Sequence, residues 1–200
     1  MKRLMLLLAL AIGLPLTLVS LKADTAGKIN KLSAYGYQGK SAGVKMVVDV
    51  EVARYRGNEK YIPLFVWLGQ NEPKTIHADR SSFILVDPDG KEHKLPEYNT
   101  VKNTYTPTRM SNDYSRLRMI PDYASSAFYY ASQVIQAAFF PNPSHGRVMY
   151  DHVEIGNRTL MKALLYFPNP MGKAKGTYKL IYHDPKSDTK VVVPFQIPWI

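Results

Sequence analysis

The feature that most constrains the fold is an alternation of side chains between residues 44 and 54. Apolar residues occupy every second position, namely Val44, Met46, Val48, Val50 and Val52. The intervening positions are mostly charged, in the order Lys45, Val47, Asp49, Glu51 and Ala53. Because a strand directs successive side chains to opposite faces, the pattern predicts a β-strand with one buried and one exposed face.

Similar segments recur along the chain and are separated by turn residues. The turn Asp87-Pro88-Asp89-Gly90 shows the chemistry, since proline fixes φ and glycine accepts a positive φ. The further predicted strands are 31–38, 61–68, 75–78, 82–86, 91–95, 149–155, 159–167, 177–183 and 190–197. Strands at this spacing predict an all-β, antiparallel sandwich of immunoglobulin-like size that occupies residues 31–200 as a single domain.

The composition supports a folded domain without covalent cross-links. The chain has 200 residues, of which 46% are hydrophobic and 21% are charged, which is enough for a core and too apolar for a disordered polymer. It contains no cysteine, so disulfides and thiol chemistry are excluded.

The first 23 residues have the layout of a secretory signal peptide. Lys2 and Arg3 precede an uncharged apolar run over residues 4–21. We expect cleavage after Ala23, with an uncleaved membrane anchor as the alternative. Residues 24–30 would then form a tether. Either way the domain is expected to be exported and to lie in the bacterial periplasm, on the surface or outside the cell, touching the membrane only through an uncleaved segment.

The net charge of +10 indicates acidic neighbours. The partners that fit are an envelope protein or an acidic surface polymer, and the export signal argues against nucleic acid. The basic residues make no run longer than two, so simple solubility is the alternative explanation of the charge.

Residues 98–146 interrupt the strand rhythm and are treated as an insertion. Up to Arg118 the insertion is polar and mixed, and from residue 119 to 146 its only formal charge is Asp122. Asp122 can cap a helix, Pro141 would follow its end, and apolar side chains between them keep helical spacing. The sequence therefore predicts a mainly helical and loop insertion, with one helix of three to four turns within 122–140.

The aromatic side chains of the insertion have two possible roles. They could close one end of the core, as apolar helical stripes commonly do, or they could form a surface that binds a partner. The candidate partner-binding residues are Tyr123, Phe128, Tyr129, Tyr130, Phe139 and Phe140.

The sequence offers no motif for catalysis or for a metal. The five histidines form no zinc-binding pattern, and a strand over 149–155 would direct Asp151 and His152 to opposite faces, away from joint ligation with His145. There is no nucleophile elbow and no phosphate-binding loop. Acidic residues between 87 and 97 lack the spacing of a calcium loop. We therefore expect no catalytic residue, no metal and no cofactor.

Four segments carry a family resemblance. They are Phe-Ile-Leu-Val-Asp-Pro-Asp-Gly at 83–90, Leu-Leu-Tyr-Phe-Pro at 164–168, Gly-Thr-Tyr-Lys-Leu-Ile-Tyr-His-Asp at 176–184 and Val-Val-Val-Pro-Phe-Gln-Ile at 191–197. Together they resemble the strands of exported bacterial immunoglobulin-like β-sandwich domains of uncharacterised function. The resemblance implies a fold and an envelope location, and it implies no catalytic residue. The insertion at 98–146 departs from the pattern of that family.

Three functions are compatible with these patterns. The first is a non-enzymatic envelope protein that binds another macromolecule through the aromatic, nearly uncharged insertion. The second is a module that binds carbohydrate or lipid headgroups, with tyrosines against the ligand and basic residues near its acidic groups. The third is a hydrolase, which two convergent carboxylates or a histidine–carboxylate pair in a deep cleft would favour.

Overall fold

The structure is a computed structural model that describes residues 28–119, 121–140, 150, 152–170 and 172–200. The described residues are mostly β. The predicted leader (1–23) lies outside them, as do His145 and Asp151. The strands are β1 (Asn30–Lys31), β2 (Gly36–Ser41), β3 (Val44–Asp49), β4 (Tyr61–Gln70), β5 (Ile76–Asp79), β6 (Phe83–Val86), β7 (Glu92–Lys94), β8 (Gln133–Ala137), β9 (His152–Ile155), β10 (Thr159–Pro168), β11 (Tyr178–His183) and β12 (Lys190–Phe195). The helices are α1 (Tyr98–Lys102), α2 (Pro107–Leu117) and α3 (Asp122–Ala127).

Two larger sheets and one small one form from these strands. The first has six strands in the order β1-β2-β3-β4-β10-β8, the second has four in the order β12-β11-β6-β7, and β5 pairs with β9. All pairs are antiparallel except β8 with β10, which is parallel. The prediction of a wholly antiparallel architecture is therefore wrong at this one pair.

The central strands β3, β4 and β10 of the six-stranded sheet are buried on both faces. Tyr37, opposite Val48 in the register, contacts Phe195 of the second sheet, with ring centroids 6.2 Å apart. The other face holds Val47 and Asp49, which are 0% and 5% exposed. The predicted exposed face of the central strand is thus covered, because the insertion packs against it.

The central strand also ends earlier than its alternation predicts. The main-chain nitrogen of Glu51 donates to Asp49 Oδ1 at 2.7 Å, which turns the chain out of the sheet. A 3₁₀-helix, Ala53–Tyr55, follows. The strand therefore closes at Asp49 and does not reach Arg54.

The single helix predicted within 122–140 is wrong in its second half. Helix α3 ends at Ala127, and β8 then pairs with β10, Ile135 lying opposite Met161. The β-branched Val134 and Ile135 suit a strand, and the edge of β10 offers backbone partners that sequence spacing alone does not reveal.

The two larger sheets approach each other closely where β2 passes β12. A Cβ atom at residue 39 would overlap the carbonyl oxygen of Val192, so only glycine fits. The Tyr37 hydroxyl donates to the Gln196 carbonyl at 3.0 Å beside this point. Within the described ranges, no helix has the length and hydrophobicity needed to span a membrane.

Candidate functional site

The insertion is fastened to the sheet first through Asp49. The Tyr123 hydroxyl donates to Asp49 Oδ2, and the Tyr123 ring lies against Gly36, where any larger residue would overlap it. Burial raises the pKa of the Asp49 carboxyl, and the hydrogen bonds from Tyr123 and from the Glu51 nitrogen offset only part of that effect. Tyr123 is therefore held in place from inside the protein.

A second attachment lies on α2. Asp113, which is 2% exposed, accepts from Arg56 Nη2 at 3.0 Å and from the Tyr166 hydroxyl at 3.1 Å. Burial raises the pKa of the Asp113 carboxyl, against the opposing influence of the Arg56 guanidinium. Each oxygen of Asp113 thus accepts a hydrogen bond that ties α2 to the sheet.

Three of the six candidate partner-binding residues lie in the core. Phe128 is 3% exposed, and Phe139 and Phe140 are fully buried. Phe128 packs over Gly69, Phe139 contacts Phe83 at 6.1 Å between centroids, and Phe140 contacts Tyr166 at 5.4 Å. These phenylalanines close the core and are not accessible to a partner.

Tyr129 and Tyr130 remain at the surface. Tyr129 is 82% exposed, and its ring meets that of the half-buried Tyr130 edge to face, 5.9 Å between centroids. The Tyr130 hydroxyl is buried and has no hydrogen-bond partner among the described residues. Burial raises the pKa of Tyr130 to about 12.

These tyrosines line a groove together with two lysines. The groove has a volume of about 100 Å³, and we call it the Tyr–Lys groove. Its lining residues are Lys40, Gly43, Lys45, Asn71, Tyr129 and Tyr130. Lys40 and Lys45 are direct partners in the β2–β3 register, so both side chains project from the same face of the sheet.

The electrostatics of the Tyr–Lys groove favour an anion. Burial lowers the pKa of Lys45, and the neighbouring Lys40 lowers it further. Lys45 Nζ donates to the Ala127 carbonyl and lies 5.7 Å from the Phe128 ring. None of the lining residues that the structure describes is acidic. An anion between the two lysines would relieve their mutual repulsion.

One carboxylate approaches the rim of the groove. Glu72 lies beside Gly43, and its Oε2 is 3.9 Å from Lys74 Nζ. Lys74 in turn donates to the Ala42 carbonyl. Glu72 thus pairs with Lys74 at the rim, while Lys40 and Lys45 are the cations among the described residues that line the groove.

Elsewhere among the described residues, histidines contact carboxylates, and two of these contacts involve a buried aspartate. His93 Nε2 lies 2.7 Å from Asp87 Oδ2 in the β6–β7 hairpin, and both residues are buried. Burial opposes ionisation of Asp87, but hydrogen bonds from His93 and from the main chain of the turn hold its pKa below the ordinary value. His77 Nδ1 lies 3.5 Å from Asp184 Oδ1, and Asp184 also accepts from the Ser187 hydroxyl.

Both aspartates bond to the backbone of their own turns, which is a structural role. Asp87 accepts from two main-chain nitrogens and Asp184 from one. In the part of the chain that the structure describes, no three histidine or acidic side chains are grouped as a metal site would require.

The sequence identified the tyrosines of the groove and missed its lysines. Lys45 was visible as a polar position in the alternation of β3, and Lys40 follows Gly39 in the preceding strand. Their convergence with Tyr129 depends on α3 folding back over β3. No local sequence signal specifies that contact across more than eighty residues.

Comparisons with known proteins add little. No protein-family model matches the sequence, and no curated protein matches it. Among solved structures, the chain is similar to the YjhA protein of Bacillus subtilis, with 12% identity and a TM-score of 0.40 over 78% of this chain and 93% of that chain. A likeness of this size supports no assignment of fold or function.

Proposed function

We propose that this protein is a non-enzymatic, exported domain of the bacterial cell envelope that binds an acidic polysaccharide in the Tyr–Lys groove. The observation that carries the proposal is the position of the exposed Tyr129 beside Lys40 and Lys45, in a groove whose described lining residues include no acidic one. An acidic sugar offers a ring for the tyrosine and an anionic group for the lysines.

The burial of the phenylalanines favours a polymer over an envelope protein. Protein interfaces are centred on well-packed apolar or aromatic anchors that bury a large area. Here the core buries Phe128, Phe139 and Phe140. Tyr129 is therefore the most exposed of the candidate aromatic side chains of the insertion. One exposed ring in a groove with two lysines suits a chain of acidic sugars better than a broad protein contact.

The fold and location form part of the same proposal. We propose that the two larger sheets constitute an immunoglobulin-like β-sandwich carrying residues 98–146 as its insertion. We further propose that residues 1–23 are a secretory signal peptide. The mostly β structure and the positively charged, apolar leader support these two proposals.

Binding of polygalacturonate to the purified domain tests the function. We expect salt-sensitive binding, because ion pairs at an exposed groove are screened. We expect uncharged dextran not to bind. The variant that combines Tyr129→Ala with Lys40→Glu should bind polygalacturonate at least tenfold more weakly, since it loses a stacking surface and reverses one charge, together worth roughly 1–2 kcal/mol.

The matched control combines Tyr55→Ala with Lys94→Glu. Tyr55 is 56% exposed and Lys94 is exposed on β7, so the control makes the same chemical changes outside the groove. An equal loss of polygalacturonate binding in both variants would show that only the net charge of the protein matters, and it would contradict the proposal. Binding to anionic lipid vesicles but not to polygalacturonate would instead support the headgroup alternative.

A further inference from the structure

A larger cleft lies where β1 and β2 meet the segment that follows β12. Its volume is about 420 Å³, within the range of small-molecule sites. The lining residues are Lys31, Ala34, Tyr37, Lys175, Gly176, Gln196, Ile197, Pro198 and Trp199. Tyr37 and Lys40 are three positions apart in β2 and therefore face opposite sides of the sheet, so this cleft is separate from the Tyr–Lys groove.

The charged side chains that line the cleft among the described residues are both positive. Lys31 and Lys175 are exposed lining residues, and no described aspartate or glutamate lines the cleft. Neither lysine has a carboxylate partner within the described ranges. Lys31 Nζ lies 5.9 Å from the centroid of the Tyr37 ring. Two cations without a protein counter-ion, at the edge of one cleft, are suited to bind an anionic group.

The aromatic wall of the cleft is fixed in position. Trp199 is half-buried, and its indole Nε1–H donates to the Ala174 carbonyl at 2.8 Å. Its ring also meets Tyr178 edge to face, with centroids 6.4 Å apart. An indole held in this way offers a flat apolar surface without losing much conformational entropy when a ligand binds.

We propose that this cleft binds an acidic monosaccharide, a pyranose ring that carries a carboxylate or a phosphate. The C–H face of the ring packs on Trp199, and the acidic group lies between Lys31 and Lys175. The exposed side chain of Gln196 has both amide donors and an acceptor for ring hydroxyls. Binding is non-covalent and is independent of the Tyr–Lys groove.

Nuclear magnetic resonance of the ¹⁵N-labelled domain tests this inference with an internal control. The chain has two tryptophans, and only Trp199 lines the cleft, whereas Trp67 is 2% exposed beneath the insertion. Titration with galacturonate should shift the indole N–H resonance of Trp199 to saturation and leave that of Trp67 in place. A parallel titration with glucose 6-phosphate shows whether the cleft prefers a phosphate or a carboxylate. Uncharged galactose should shift the Trp199 resonance much less.

Variants at the cationic rim complete the test. Lys31→Gln and Lys175→Gln should each weaken acidic-sugar binding about fivefold, the effect of losing one exposed charge pair, while Lys94→Gln should leave it unchanged. Overlay of the backbone spectra would verify that each variant is folded. Absence of a Trp199 response up to about 20 mM of both acidic sugars, or an equal response to galactose, would overturn the inference.

The two binding proposals can fail separately. The variant that combines Tyr129→Ala with Lys40→Glu alters the Tyr–Lys groove only, so it should retain the full response of Trp199 to galacturonate. Loss of the response in that variant would show that the cleft is not an independent site.

Discussion

At the scale of one residue, Asp49 shows how the insertion buries a position that the alternation predicts to be exposed. On a half-exposed strand, an aspartate in the alternation would face water. Here it is 5% exposed beneath the insertion and receives hydrogen bonds from Tyr123 and from the Glu51 nitrogen. These bonds satisfy its oxygens, yet the loss of hydration still disfavours its charged form. Asp49 therefore provides a specific attachment at a cost in stability that depends on pH.

The pH dependence of that cost can be measured with Asp49→Asn. Since burial raises the folded-state pKa of Asp49 above its ordinary 3.8, the unfolded chain ionises first as pH rises. The contribution of Asp49 to stability is thus most favourable below pH 3.8 and is lost as pH rises through the folded-state pKa. We expect the free energy of unfolding of the variant, relative to the wild type, to increase over this window. Denaturation at several pH values provides the measurement, and a flat or falling difference would contradict the assigned burial effect.

Gly39 illustrates a constraint that is purely steric. Because a Cβ atom would overlap the Val192 carbonyl, Gly39→Ala must push β2 away from β12. We expect a loss of about 2 kcal/mol in the free energy of unfolding, as for other overpacked sites. Gly156→Ala is the control, since its Cβ would lie 3.8 Å from Thr159 Oγ1 and should change stability by less than about 1 kcal/mol. Equal effects at the two positions would argue against close contact of the sheets at Gly39.

At the scale of elements, the strands were predictable and the insertion was not fully so. The alternation of β3 and the turn at Asp87 located most strands within two or three residues of their observed ends, because the period of two is a local property. The helical spacing within 122–140 was ambiguous, since the same residues also suit a strand. The parallel partner of β8, far away in β10, decided the outcome.

Helix α2 left a local signal that could have identified it. Thr106 accepts from the Arg109 nitrogen, and Pro107 occupies the first helical position. The buried Met110, Tyr114 and Leu117 follow at helical spacing. Its attachment to the sheet through Asp113 was not predictable, because Arg56 and Tyr166 lie more than fifty residues away on either side.

The attachment of α2 can be tested with Asp113→Ala. Removing this carboxylate leaves Arg56 without its buried partner and Tyr166 without its acceptor. We expect the free energy of unfolding to fall by about 3 kcal/mol, as for other broken buried ion pairs. The exposed Asp122 at the start of α3 provides the comparison, and Asp122→Ala should cost less than about 1 kcal/mol. Chemical denaturation of both variants would settle the difference, and a near-neutral Asp113→Ala would mean that α2 is held by apolar packing alone.

At the scale of the whole molecule, the six-stranded sheet lies between two layers. The second sheet buries one face, and the insertion buries the other. This arrangement explains why most aromatic residues of the insertion serve the core while Tyr129 stays outside. The two proposed binding surfaces lie at the edges of these layers. The Tyr–Lys groove lies where the segment after α3 packs over β2 and β3, and the second cleft lies where the segment after β12 meets β1.

Photo-crosslinking from position 129 in the native envelope tests the central proposal most directly. A photoreactive phenylalanine derivative at this position keeps an aromatic ring at the mouth of the Tyr–Lys groove, and the same derivative at position 55 serves as the control. From position 129 we expect crosslinked products of heterogeneous mass that resist protease. Treatment with polysaccharide-degrading enzymes should reduce their mass to near that of the protein alone. Position 55 should yield far fewer such products. A single discrete protein product, or intramolecular products alone, would contradict binding of an acidic polysaccharide in this groove.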